Sequence, residues 1–194
     1  EKDKLWGLRL SKTAEGLSVL KPTRQVVVAV VDTGCDLTPP ALKDSLVQGR
    51  NFAGGKAEDP SNRNGDEMHS THVSGTIVAK KDADGFYGIA NSVAKVMPVR
   101  VLNESGSGTL INVARGIEYA ADQGVDVINM SLGAPGYSRA LHDSVKYAVN
   151  EKKVTVVCAK GNSNSDKQFS PADFPEVIRV TATALKDDGT EERA

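Results

Sequence analysis

Three short stretches of this sequence carry residue types that can do acid–base chemistry. Asp32-Thr33-Gly34 follows the apolar run VVVAVV. An aspartate where a strand leaves the core is shielded from water yet able to hold a basic partner across a cleft; the same tripeptide also suits an ordinary turn. Met68 to Thr76 reads M-H-S-T-H-V-S-G-T and holds two of the three histidines, with His69 at the entry to a helix marked by Val73, Ile77 and Val78. An imidazole whose Nδ1 donates to a carboxylate keeps Nε2 as an acceptor, the arrangement of a general base for an alcohol nucleophile. Finally, Val156 to Asn162 runs an apolar strand into Gly161 and Asn162. The Asn162 amide can donate to a developing oxyanion, worth about 3–4 kcal/mol to a transition state, or form a turn.

His72 lies one helical turn beyond His69 and reads as a hydrogen-bonded packing residue deeper along the helix. As a zinc pair the two histidines lack both the HExxH pattern and a third ligand. Two loop segments are rich in oxygen ligands: Glu58, Asp59, Asn62, Asn64, Asp66 and Glu67, and Asp82, Asp84 and Gly85. Neither has EF-hand spacing, and solvated loops are the expectation for both.

The elements that must position these residues alternate along the chain. Short β-branched runs at 24–31, 95–101, 125–130, 154–159 and 177–181 suit strands buried on both faces. Between them, 109–123 places Leu110, Val113, Ala114, Ile117 and Ala121 on one helical face, and 138–151 does the same with Leu141, Val145 and Ala148. Strands separated by helices of this length pair in parallel through right-handed crossovers. The expected fold is α/β: an open, mostly parallel sheet with helices on both faces and its unusual residues at the carboxyl ends of the strands. The stretches 51–65 and 103–108, rich in glycine and polar residues, read as surface loops.

The 194 residues fit a single domain. With 39% hydrophobic and 25% charged residues the chain is neither disordered nor membrane-spanning, and a net charge of -1 without basic blocks gives nucleic acid no footprint. Cys35 and Cys158 read as free thiols, lacking CxxC spacing and any clustered metal partners. No basic-then-apolar leader opens the chain, which means either that export is absent or that a leader has been removed. A nucleotide-binding reading fails for want of a GxGxxG or P-loop after the first strand.

Taken in order, these motifs resemble the subtilisin-like serine proteases over nearly the whole chain. Leu5-Trp6-Gly7-Leu8 is similar to that family's mature N-terminus after propeptide cleavage, Asp32-Thr33-Gly34 to its aspartate motif, and His69 to Thr76 to H-G-T-H-V-A-G-T. Pro98 to Leu102 resembles the strand before the substrate loop, Gly106-Ser107-Gly108 the substrate-pairing strand, Val127 to Gly133 one wall of the specificity pocket, and Ala159 to Asn162 the opposite wall and oxyanion hole. The resemblance implies that Asp32 orients His69, that His69 is general base and then acid, and that Asn162 stabilises the oxyanion. It implies substrate binding by Gly106, Ser107, Gly108, Ser131, Leu132, Gly133, Ala159 and Gly161. The implied partners are a polypeptide substrate, an inhibitory propeptide, and a C-terminal fragment or second chain bearing the serine, with neither nucleic acid nor membrane among them. The implied location is secreted, although the family has intracellular members.

The nucleophile of that family lies in a G-T-S-M-A segment, and none of the fifteen serines stands in such a context. Residues 1–194 therefore read as a partial peptidase domain ending before its serine. Loss of that serine costs about six orders of magnitude in turnover, a magnitude measured on subtilisin itself. Alone, the chain is expected to be inactive and marginally stable; the other reading is a pseudoprotease that binds or regulates a partner. No cofactor is required for the chemistry. Ala41 replaces an aspartate that often ligates calcium in the family, which weakens that site, and no residue is assigned to a metal. Ser70 replaces a glycine and is expected to fit. Lys160 replaces a small residue beside the specificity pocket, pointing to solvent or else favouring acidic substrates.

Overall fold

The computed structural model describes residues 6–62, 68–81, 85–162, 167–186 and 191–193. Two short helices, α1 (Trp6–Leu10) and α2 (Thr13–Val19), pack on each other and bury no residue fully; Leu5, in the N-terminal motif, lies outside the described residues. They are followed by β1 (Val26–Asp32), β2 (Arg50–Asn51), α3 (His69–Val78), β3 (Ala94–Arg100), α4 (Leu110–Asp122) and β4 (Val127–Met130). The second half contributes β5 (Ala134–Pro135), α5 (Arg139–Lys146), β6 (Thr155–Ala159), β7 (Phe169–Ser170), β8 (Ile178–Val180), β9 (Thr183–Leu185) and β10 (Glu191–Arg193).

Six strands form one parallel sheet in the order β2-β3-β1-β4-β6-β8. All five predicted strands are in it, with ends within two residues of expectation. The added edge strand β2 is only two residues long, too short and too polar to leave a β-branched signature. In β1 the period of two decides which side chain meets which layer. Val28 and Val30 face α3 together with Val78 and Val96, whereas Ala29 and Val31 face α4 and α5 together with Ile117, Val99 and Val145. Burying a valine or isoleucine fully contributes about 1.5–3 kcal/mol, so the sheet is held from both sides.

Thr109 caps α4 by accepting a 3.1 Å hydrogen bond from the Asn112 N–H. The predicted face is buried except for Leu110, which is 40% exposed. Leu141, Val145 and Ala148 are buried as expected, with a π-turn over Tyr147–Glu151 prolonging α5. β8 departs from expectation. It was predicted to be buried on both faces, yet Ile178 and Val180 are 55% and 49% exposed, because β8 pairs only with β6 and no described helix covers it. Among the described residues no helix is long and apolar enough to cross a membrane.

Candidate active site

Asp32 ends β1 with its side chain fully out of water. Its Oδ1 accepts the Thr33 N–H at 2.7 Å and lies 2.9 Å from His69 Nδ1. Since a carboxylate can only accept, Nδ1 carries the proton in this pair, which leaves Nε2 as the acceptor. Asp32 Oδ2 is buried and, among the described residues, has no hydrogen-bond partner. His69 is the first residue of α3, with a side chain 44% exposed, so one edge of the ring is fixed on the carboxylate and the rest is open to the solvent side.

The helix reaches this position through the stripe Ser70, Ser74 and Val78, buried at i, i+4 and i+8 against β1 and β3. His72 stands about 200° around the helix from Ser70 and is exposed. The expectation of a deeper packing histidine is thereby corrected. Ser70 is accommodated with His69 still on Asp32, its N–H 3.4 Å from Thr33 Oγ1. Its hydroxyl, however, is buried and, among the described residues, has no partner.

A strap beneath the aspartate motif holds it in place. Gly34 has φ +89°, and a Cβ there would lie 2.6 Å from the Pro60 carbonyl oxygen, so only glycine fits without strain. The Cys35 N–H donates to Pro60 O, the Asn62 N–H to Cys35 O, and Asn62 Nδ2 to Thr33 O at 3.1 Å. Asn62, counted at first among loop oxygen ligands, is therefore a buried positioning residue. Asp59 Oδ1 accepts the Ser61 N–H in a local turn. Asn64, Asp66, Glu67, Asp82 and Asp84 lie outside the described residues. Among the described residues no group of three or more His, Cys, Asp or Glu side chains converges on a metal position.

His69 opens onto a cleft of about 380 Å³ lined on one side by Gly106, Ser107 and Gly108 and on the other by Ser131, Leu132 and Gly133. Leu102, Leu110, Val113 and Leu141 make its apolar part. The 103–108 segment is a loop, not a strand, and is organised by Asn103. Asn103 Oδ1 accepts the Ser105 and Ser107 N–H groups, and its own N–H donates to Ser107 O. The Ser107 backbone is thus tied to Asn103 while the residue itself stays exposed. Among the described residues, neither the Gly106 carbonyl nor the Gly108 N–H is engaged.

Ala159, Gly161 and Asn162 sit at the carboxyl end of β6, which neighbours β4, itself the neighbour of β1. They share the predicted edge of the sheet, with Asn162 exposed, but are not among the described residues lining the cleft with His69. Lys160 takes neither course expected of it. Its Nζ donates to Asp173 Oδ2 at 2.5 Å and to the Lys167 carbonyl at 3.0 Å, and its side chain is 10% exposed. Asp173 Oδ2 also accepts the Phe169 N–H at 2.7 Å, and Oδ1 accepts from Arg179 at 2.9 Å. The hydrogen bond from Lys160, with help from Phe169 N–H and Arg179 and against some desolvation, holds the Asp173 carboxyl down at about 2. No local pattern signalled this hub, since its partners are brought together by the fold. Cys35 and Cys158 are free and buried, and burial pushes the Cys158 thiol up to about 12.

Residues 23–190 match the model of the Subtilase family. Over 164 residues the chain is 42% identical to the intracellular serine protease of Paenibacillus polymyxa, a match covering 82% of this chain and 50% of that protein. It is 38% identical over 194 residues to the major intracellular serine protease of Bacillus subtilis (strain 168), covering 91% of this chain and 59% of the relative. Among solved structures, sphericase superposes with a TM-score of 0.77 at 33% identity, covering 91% of this chain and 60% of that one. The chain therefore spans about half to three-fifths of the length of the relatives it matches.

Proposed function

Because this chain belongs to the subtilase family, we propose that it forms the Asp- and His-bearing part of a serine endopeptidase. The observation that carries the reading is the Asp32–His69 pair at 2.9 Å, with a fully buried carboxylate and the imidazole facing a cleft. In this reading the nucleophile is a serine in sequence beyond Ala194, consistent with the share of its relatives' length that the chain spans. His69 Nε2 takes the hydroxyl proton as Oγ bonds to the scissile carbonyl carbon, and the Asn162 amide donates to the resulting oxyanion. Collapse expels the amine, which receives the proton from His69. Water then repeats the sequence on the acyl-enzyme, releasing the acid and regenerating the serine.

The substrate is a polypeptide bound extended between residues 106–108 and 131–133. The unengaged Gly106 carbonyl and Gly108 N–H offer the backbone hydrogen bonds that strand addition needs. The site of action we read as intracellular. Two relatives are named as intracellular serine proteases, and they lend no support to the secreted location or the propeptide that the resemblance implied.

Fluorophosphonate treatment of the complete protein followed by denaturing intact-mass spectrometry tests the proposal. The expected result is one phosphonyl adduct on a serine beyond residue 194, lost in the His69→Ala variant. An unlabelled protein that cleaves no peptide would sink the protease reading in favour of a binding or regulatory role.

A further inference from the structure

Where β3 hands the chain to the loop that borders the cleft, the junction is fixed on the aspartate motif. The Val101 and Leu102 N–H groups both donate to the Asp32 carbonyl, at 2.8 and 3.2 Å. From there the path of the loop is set by Asn103. Its carbonyl accepts the Gly106 N–H at 3.1 Å, which closes a β-turn over 103–106, and asparagine is favoured at the first place of such a turn. The side chain then stands in for a second backbone carbonyl. Asn103 Oδ1 accepts the Ser105 N–H at 3.0 Å, the Ser105 hydroxyl at 2.8 Å and the Ser107 N–H at 3.0 Å, while the Asn103 N–H donates to the Ser107 carbonyl at 2.8 Å. Both backbone groups of Ser107 are thereby turned to Asn103.

The consequence falls on either side of Ser107. In a trans peptide the carbonyl and the N–H point in opposite directions. With the Ser107 N–H turned to Asn103, the Gly106 carbonyl points away from it, and with the Ser107 carbonyl turned to Asn103, the Gly108 N–H does the same. Both glycines line the cleft that His69 faces. Gly108 is also seated from below. A Cβ there would lie 2.6 Å from the Val101 carbonyl oxygen and 2.8 Å from Leu102 Cδ2, so its backbone runs close against the end of β3 before Thr109 caps α4. The two unengaged groups are thus held at both ends and referred to the same Asp32 that holds His69.

We propose that Asn103 is a positioning residue: its side chain fixes the Gly106 carbonyl and the Gly108 N–H in the orientation that receives the acyl side of an extended peptide, and so makes turnover depend on substrate length. The inference rests on the protease reading. Asn103 itself need not touch substrate. Its hydrogen bonds lie in an exposed loop, where water replaces a lost partner at small net cost, so removing them loosens the loop without unfolding the sheet. A loosened loop must be ordered each time a peptide binds, and that cost falls only on substrates long enough to pair with it. On the side chain only Oδ1 is engaged among the described residues, so an aspartate oxygen can replace it.

The test uses the complete protein, titrated with a fluorophosphonate, and two thiobenzyl esters, succinyl-Ala-Ala-Ala-Ala and acetyl-Ala, which share the scissile bond and leaving group and differ in reach along the acyl side. The wild type is expected to favour the longer ester in kcat/KM by about a hundredfold, the order of a few net hydrogen bonds. Asn103→Ala and the near-isosteric Asn103→Leu should each lower that ratio about tenfold, the order of one such bond. Asn103→Asp keeps the acceptor and should stand near the wild type. Misfolding lowers the fraction that labels and slows both esters alike, so the ratio per labelled site separates positioning from folding. A ratio unmoved in both the alanine and leucine variants overturns the proposal, as does an aspartate variant that falls as far as alanine. A wild type that labels but turns over the two esters alike overturns it too, leaving the protease reading intact. Absence of labelling together with absence of turnover overturns the protease reading, and this inference falls with it.

Discussion

Lys160 and Asp173 close a 2.5 Å charge-assisted hydrogen bond across thirteen residues of sequence, with side chains only 10% and 16% exposed. The pair ties the segment after β6 to the turn that carries Phe169. Asp173 has a carboxyl held at about 2, below the ordinary 3.8, chiefly by Lys160. A folded-state value below the unfolded one means that the stabilisation is complete above about pH 4 and is lost as pH falls towards 2. In the wild type this group should account for a loss on the order of 1–2 kcal/mol between pH 5 and pH 2. Asp173→Asn should be less stable at pH 7, with a flatter acid limb in urea titrations run at a series of pH values. An acid limb as steep as that of the wild type would show that Asp173 is not the group responsible.

The Asp32–His69 contact predicts a catalytic effect without a folding effect. Asp32→Asn keeps the shape of the side chain but can present an N–H to Nδ1, which moves the imidazole proton to Nε2 and removes the base. The variant of the complete protein should lose about 10⁴-fold in turnover of a peptide substrate and retain its melting temperature to within a few degrees. Stability should survive because Asp32 is already unevenly satisfied, with Oδ2 buried and unpartnered among the described residues. Turnover within tenfold of the wild type would remove Asp32 from the proposed mechanism.

What the sequence made legible and what it hid differ by range. The valine alternation in β1, the faces of α4 and α5, and the carboxyl-edge positions of Asp32, Ser131–Gly133 and Gly161 follow from periodicities of two and 3.6 and from strand-end position, all local properties. His72 was misplaced because an offset of one turn from His69 fixes its height along the helix but not its burial, and Ser70, Ser74 and Val78 form the buried face. A stripe containing two serines carries little hydrophobic signal. Asn62 and Lys160 were read by residue type as solvent-facing or ligand-like. Their buried roles depend on Thr33 and Asp173, partners that only the fold brings within reach. The exposure of β8 likewise depends on what lies against it, which no strand pattern encodes.

Ser70 should be a site where stability can be gained. Its hydroxyl is buried in the first turn of α3 with no partner among the described residues, and an unsatisfied buried polar group costs about 1–3 kcal/mol. Ser70→Ala removes that group, leaves the N–H facing Thr33 Oγ1 in place, and raises helix propensity. The expected gain is about 1 kcal/mol in chemical denaturation, with the labelling rate of the complete protein preserved. A loss of stability would mean that the hydroxyl is satisfied in solution.

Asn62 offers the sharpest test of how the aspartate motif is held. Its Nδ2 donates to the Thr33 carbonyl from a site only 5% exposed, so it acts on Asp32 and His69 through the backbone. Asn62→Ala removes the donor and should cost about 1–2 kcal/mol of stability. With the loss of positioning, kcat for a peptide substrate should fall more than KM changes, since Asn62 is not among the described residues lining the cleft. Asn62→Asp is nearly isosteric but brings a carboxylate oxygen against a carbonyl oxygen, so it should be at least as damaging as alanine at neutral pH. It should recover partly under acidic conditions, where the protonated acid can donate again. If Asn62→Asp matches the wild type in both stability and kcat at pH 7, donation to Thr33 is not what holds the motif, and the Pro60–Cys35 backbone strap must suffice by itself.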